Sequence, residues 1–334
     1  MTEQNPSWMI SPSPHAHSGE TVQKIMLAVL VALTPALVAA VYFFGWNAVR
    51  LTLVCVATCV AAEAGVRKLM GRDLGITDLS AVVTGVLLAF NLPPGLPSWM
   101  AVIGSLAAVV IAKQCYGGLG YNVFNPALIG RAVLLISFPV AMTTWLAPAQ
   151  GFCLGPDALT TATPLGIWKT GISQNIAPAA FDQAALGKLL LGNRAGCLGE
   201  TSIVALLLGG LYLLYRRCIY WETPVAYLGS LALFAAILYA CDPAHNLPAH
   251  IHLLTGGVVL GAFFMATDMV TTPVTRKGML VFGLGCGVIT MLIRRWGGYP
   301  EGCSFSILIM NALTPLINRA TRPRVFGTGR AKQA

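Results

Sequence analysis

The stretch Met26-Leu27-Ala28-Val29-Leu30-Val31-Ala32-Leu33-Thr34-Pro35-Ala36-Leu37-Val38-Ala39-Ala40-Val41-Tyr42-Phe43-Phe44 decides the fold. It carries no charge, and a helix of this length spans roughly the ~30 Å thickness of a bilayer's hydrocarbon core. The run is too long for the core of a signal peptide and follows 24 mostly polar residues, so it reads as a retained membrane span. Similar apolar runs recur outward from it, near 50 to 66, 79 to 92, 98 to 114 and 126 to 146. A second set lies near 200 to 215, 223 to 241, 250 to 269, 279 to 293 and 303 to 318. Two are weak: 79 to 92 stops at Asn91, Pro93 and Pro94, and 126 to 146 contains Arg131 and Pro139. Of the 334 residues, 56% are hydrophobic and only 10% charged, against about 25% charged in a soluble domain. The prediction is an all-α polytopic membrane protein of about ten transmembrane helices.

Charge placement orients the spans. Lys plus Arg is 21 and Asp plus Glu 12, and the basic residues flank apolar runs, which is a topology signal and excludes a nucleic-acid partner. With both termini cytoplasmic, 15 of the 21 basic residues fall inside, among them Arg67, Lys68, Arg72, Lys113, Arg131, Arg216, Arg217, Arg276 and Lys277. Arg294 and Arg295 fall outside: either the ninth span is misplaced or an anion holds them. This orientation gives a cytoplasmic tail at 1–24, five helices in 25–146, an outer loop at 147–199, five more helices in 200–318 and a basic cytoplasmic tail at 319–334. Two halves of five spans must be inverted relative to one another, an arrangement that places functional sites near mid-membrane. Thr84-Gly85-Val86-Leu87-Leu88 against Thr255-Gly256-Gly257-Val258-Val259 supports such a repeat, as does Gly117-Gly118-Leu119-Gly120-Tyr121 against Gly297-Gly298-Tyr299.

The nine cysteines are scattered without a CxxC pair, which indicates neither a disulfide framework nor a metal or iron–sulfur cradle. In the outer loop, Asp157-Ala158-Leu159-Thr160-Thr161-Ala162-Thr163-Pro164 sets three hydroxyls between an acid and a proline. That is an exposed turn, open either to a modifying enzyme or to a local role as the cap of a short helix. Asn122, Asn125 and Pro126 interrupt an apolar stretch, as a broken segment beside a cofactor or an ordinary loop would. Ionisable residues in or at the ends of spans are costly, which singles out Glu63, Asp78, Glu200, Glu222 and Asp268. Asp268, near Thr267, Thr271 and Thr272, has the hard oxygen chemistry to couple to Na⁺ or a proton. Glu200 reads as the partner of the sixth helix's N-terminal dipole. His245, His250 and His252 read as interface residues, and Gly283-Leu284-Gly285-Cys286-Gly287 as close helix packing.

The pattern Asp157-x-x-Thr160-x-Ala162-Thr163 resembles the flavinylation motif of membrane subunits that carry FMN as a phosphoester on threonine, with Thr163 at the attachment position. The motif usually has glycine where this chain has Thr161, which leaves Thr160 and Thr161 as lesser acceptors. The resemblance continues through Gly118 to Ala127, Gly130-Arg131-Ala132, Gly196 to Ser202, Ala266-Thr267-Asp268 and Pro300-Glu301-Gly302. Together these are similar to the D subunits of the Rnf (Rsx) ion-translocating ferredoxin:NAD oxidoreductases. The homologous B subunits of Na⁺-pumping NADH:quinone reductases carry a longer N-terminal region. The resemblance implies a multi-pass subunit of the bacterial inner membrane. Its partners would be the other Rnf subunits, including a second covalent-FMN subunit. It also implies a fold related to urea- and ammonium-type channels, and a non-covalent riboflavin nearer the cytoplasm. Asn122 and Asn125 become candidate cofactor neighbours, and Lys169, Arg294 and Arg295 become candidate neighbours of the outer FMN phosphate. Competing readings are a quinone-reductase role, a flavin-free scaffold and a small-solute channel, and fold alone does not choose among them.

Overall fold

The computed structural model describes residues 19–72, 76–148, 160–174, 183–243 and 245–323. Among these the chain is helical, and its only extended pairing is a single bridge between Leu146 and Thr160. Thr21 caps the first helix, α1 (Val22–Phe44), by accepting from the Lys24 amide, and Gly45, at φ 55°, turns the chain into α2 (Trp46–Leu69). There follow α3 (Ser80–Phe90), α4 (Ser98–Leu106) running on as a π-helix over Ala107–Gln114, α5 (Pro126–Ser137) and α6 (Pro139–Thr143). Two shorter helices, α7 (Pro164–Ser173) and α8 (Gln183–Leu191), precede α9 (Ile203–Tyr215) and α10 (Glu222–Cys241). The chain ends with α11 (Ala249–Leu254), α12 (Val258–Leu260) with a π-helical extension over Gly261–Met265, α13 (Arg276–Trp296) and α14 (Cys303–Ala320).

Each apolar run of the sequence is helical, but the lengths differ from expectation. Among the described residues four helices, α1, α2, α10 and α13, are long and apolar enough to cross a membrane. The third run is only the 11 residues of α3, about half a bilayer, and Pro139 splits the fifth run into α5 and α6. The eighth run is broken at Thr255–Gly257, where Gly256 takes φ 72°. Backbone breaks at membrane depth are tolerated where protein surrounds them. Every residue of α3 except Val82 is buried, as are all of Val258–Ala266. Val31, Val38 and Tyr42 of α1, Leu53 of α2 and Leu233 and Ile237 of α10 are exposed, an apolar rim suited to lipid.

Gly283 and Gly287 line α13 where it meets α10: a Cβ at Gly283 would lie 2.6 Å from the Thr223 carbonyl, and one at Gly287 would lie 2.5 Å from that of Tyr227. Charge counting along the sequence puts residues up to 199 in an outer loop. The end of that stretch is packed into the protein: residues 194–202 are buried and plug the interior, where the Leu198 amide donates to the Leu92 carbonyl and Gly199 seats against Phe90 and Leu260.

Candidate functional site

Three polar sites lie along the molecule, beginning with the turn before α7. The Thr161 amide donates to the Trp145 carbonyl and Thr160 bridges to Leu146, so the turn is fixed to the end of the first half. Thr160 and Thr161 are exposed, whereas Thr163 is buried and caps α7, its hydroxyl accepting from the Gly166 amide at 3.0 Å, with Pro164 following. The capping role that sequence leaves open is therefore realised. It also puts the Thr163 Oγ at a helix N-terminus, where the Leu165 amide is the one first-turn N–H not already bonded to Thr163 and the positive end of the helix dipole favours an anion. Asp157 lies outside the described residues.

The rest of α7 rests on the second half. Leu165 and Trp168 pack with Leu247 and Ile251, the Trp168 indole donates to the His245 carbonyl, and its ring meets His252 edge-on at 5.0 Å. His252 is buried with both ring nitrogens unpartnered, an interior residue rather than a loop contact. Lys169, a candidate phosphate neighbour by sequence, is occupied: its ammonium donates to the carbonyls of Ile293, Arg294 and Tyr299 and so caps the end of α13. Burial, with help from the Arg295 guanidinium, lowers its pKa from the ordinary lysine range.

Arg294 is also corrected. It does not face outward: it is fully buried, and its two terminal nitrogens donate to the carbonyls of His252 and Thr255, the free end of the broken α11. A guanidinium suits that place because it satisfies two orphaned carbonyls and opposes the helix's negative end. Arg295 lies partly exposed over the Trp296 ring, 5.9 Å from its centroid.

At mid-molecule, Arg131 donates to the Asn91 side chain at 2.9 Å and to the Glu301 carboxylate at 2.6 Å, so it belongs to a buried ion pair and not to a cytoplasmic loop. Arg194 reaches the carbonyls of Glu200 and Leu254. Glu200 does not cap the next helix; Ser202 does, accepting from the Ala205 amide. Sequence reading does not place Arg194, Cys197 or Glu301 in a site. The Gly196 to Ser202 and Pro300-Glu301-Gly302 stretches carry the available signal, while Arg194 has none.

On the opposite end from Thr163, a cavity of about 110 Å³ is lined by Lys113, Asn122, Asn125, Asp268 and the rings of Phe263 and Phe264, among others. Asn125 is already employed: its side-chain Oδ1 caps α5 by accepting from the Ala127 and Leu128 amides, and its Nδ2 donates to the Met265 carbonyl. Asn122 donates to the Phe124 carbonyl. Asp268 accepts from the Val270 amide and the Thr271 hydroxyl, the hydroxyl setting expected from sequence. Beyond the cavity wall, Lys113 pairs with Glu63 at 2.7 Å, and Glu63 also pairs with Arg67.

A profile of the NQR2, RnfD, RnfE family matches residues 9–327. The chain is 47% identical over 326 residues to the D subunit of the Na⁺-translocating ferredoxin:NAD⁺ oxidoreductase complex of Acetobacterium woodii, covering 97% of this chain and 96% of that one. It is 48% identical over 322 residues to the D subunit of the proton-translocating complex of Clostridium ljungdahlii, covering 96% of each. It is 42% identical to the D subunit of the ion-translocating oxidoreductase complex of Halorhodospira halophila, over 95% of both chains.

Proposed function

Because this chain belongs to the NQR2, RnfD, RnfE family, we propose that it is the electron-carrying D subunit of an ion-translocating ferredoxin:NAD oxidoreductase complex, with FMN esterified to Thr163. The observation that carries the reading is the position of that hydroxyl at the N-terminus of α7, on a turn pinned to Trp145 and Leu146. An isoalloxazine ring attached there would take up and release electrons. The chain's own contribution is placement. The Gly166 amide continues to face the ester oxygen, the helix N-terminus offsets phosphate charge, and Lys169 with Trp168 clamps α7 onto the second half. Arg295 is an outer cation whose guanidinium is uncommitted to a carbonyl among the described residues, and the exposed Thr160 and Thr161 form the rim.

The same reading puts both termini in the cytoplasm of a bacterial inner membrane. The short α3 and the broken α11–α12 become corresponding half-helices of two inverted five-helix repeats. The inner cavity is then the place for a non-covalent riboflavin. Of the two asparagines, Asn122 is the one with an unengaged carbonyl oxygen, and Asn125 holds the surrounding helices in place. Asp268 in the same wall is the candidate ion-coupling carboxylate. Other membrane subunits, among them a second one with covalent FMN, would supply and remove electrons. Relatives named for Na⁺ and for protons are nearly equally similar, so overall identity does not select the coupling ion.

In-gel flavin fluorescence tests the anchor. The denatured wild-type chain is expected to fluoresce, while Thr163→Ala and Thr163→Asn are dark. Asparagine is an efficient cap but no ester acceptor, so it separates loss of the flavin from loss of the cap. A fluorescent Thr163→Asn band overturns the assignment.

A further inference from the structure

The plug formed by residues 194–202 brings the Glu200 carboxyl to within 4.8 Å of both the Glu301 carboxylate and the Cys197 sulfur. Glu200 is 3% exposed, and the Glu301 side chain is 9% exposed. The charged and titratable groups around them come from several packed elements: Arg131 from α5, Arg194 and Cys197 from the plug itself, Arg294 from α13 and Cys303 from α14, whose thiol donates to the Gly257 carbonyl. No guanidinium nitrogen makes a hydrogen bond to the Glu200 carboxylate. Arg131 spends its terminal nitrogens on Asn91 and Glu301. Arg194 spends its three nitrogens on the backbone carbonyls of Glu200 and Leu254, and Arg294 spends its terminal pair on His252 and Thr255. The Cys197 thiol points to the Asn91 carbonyl. The Glu200 Oε1 is left buried with no hydrogen-bond partner.

Two carboxylates this close in a dry interior cannot both stay ionised at low cost, and an unpartnered carboxylate oxygen adds a desolvation penalty. A proton on Glu200 removes the repulsion and supplies the missing hydrogen bond, since its O–H can donate to Glu301 while Arg131 holds the charge that remains. A divalent cation fits poorly: Arg131 already occupies Glu301, and nearby guanidiniums repel it.

We propose that Glu200 and Glu301 share one proton and that the plug is a proton-binding site between the outer turn and the inner cavity. The neighbours define that position. A Gly257 Cβ would lie 3.2 Å from Glu200 Oε1, and at adjacent Gly256 a Cβ would meet Leu165 of α7 and the Arg294 guanidinium. On the other side Asn91 touches the Met265 sulfur, and Asn125 of the cavity wall holds the Met265 carbonyl. Binding is a simple protonation: one H⁺ from solvent forms one O–H bond on Glu200. Nothing in the proposal depends on the flavin assignment.

The test is infrared spectroscopy of the full-length protein in lipid nanodiscs, with glutamate carrying ¹³C at the side-chain carboxyl. At neutral pH the unmodified chain is expected to show a protonated carboxylic acid C=O band that shifts with the label. Glu200→Gln abolishes that band, Glu301→Gln moves it, and Glu200→Asp exchanges it for one insensitive to the label. Absence of a label-sensitive acid band in the unmodified protein overturns the proposal without any variant. So does a band unchanged by both glutamine substitutions. Should Glu200→Gln not accumulate, Glu301→Gln decides, because a band it leaves unmoved belongs to another glutamate.

Discussion

Among single residues, Thr163 fixes α7 at its N-terminus and Lys169 fixes it from mid-helix onto the end of α13, and each gives a distinct prediction. Lys169→Met removes three charge-assisted hydrogen bonds to the end of α13, and is expected to cost about 1–3 kcal/mol and lower the thermal midpoint in detergent by several degrees. An unchanged midpoint would show that these bonds exist without net value. Thr163→Asn, by contrast, should leave stability nearly intact while abolishing flavin attachment. How legible such residues are in a sequence depends on whether their partners are local. Thr163 sits beside the proline and hydroxyls that define its turn, and so it is legible. Arg294 is not, because counting charges along the chain cannot reveal that its partners, His252 and Thr255, lie some 40 residues away on the broken end of α11. Glu200 looks like a cap because it precedes a helix, but Ser202 stands closer and makes the bond.

Helix-level predictions turn on close approach and on ion pairing across breaks. At Gly287 a Cβ would collide with the Tyr227 carbonyl and the Ser230 hydroxyl of α10. Gly287→Leu is therefore expected to destabilise by roughly 1–3 kcal/mol or more, read as a lowered unfolding midpoint. Gly229→Ala, on α10 with nothing within 4 Å, is the control and should leave the midpoint unchanged or slightly raised. Arg131→Leu leaves the Glu301 carboxylate buried without its cation, at an expected cost of about 3–5 kcal/mol. Adding Glu301→Gln should recover part of that loss. If the double variant is no more stable than the single one, the pair is not coupled. The existence of these helices is readable from apolar runs, and the Gly283–Gly287 spacing signals close helix packing without naming α10 as the partner. Their lengths are not. A run of apolar residues looks alike whether it continues through a bilayer or stops halfway, and only tertiary burial makes α3 and the broken α11–α12 stable.

For the whole molecule, sidedness and cofactor load are the properties at stake. Two exposed cysteines report the first: Cys115 lies in the turn after the π-helix of residues 107–114, and Cys241 at the far end of α10. In intact spheroplasts a membrane-impermeant maleimide should label the peptide containing Cys241 and spare the one containing Cys115; the reverse pattern would put the Thr163 turn inside the cell. The sequence offers an orientation only as an expectation, from an excess of basic residues on one set of loops, and the maleimide pattern is what decides it. The arrangement that joins the Thr163 turn to the cavity, a plug from the outer connection meeting Arg131 and Glu301, is not legible, because it depends on segments far apart in sequence. Most directly, the central claim is tested by the intact mass of the purified chain followed by peptide mapping. The predicted result is one added FMN, less the water lost in forming the ester, located on the peptide that contains Thr163. A chain weighing only what its amino acids weigh, or a flavin mapped to another peptide, would contradict it.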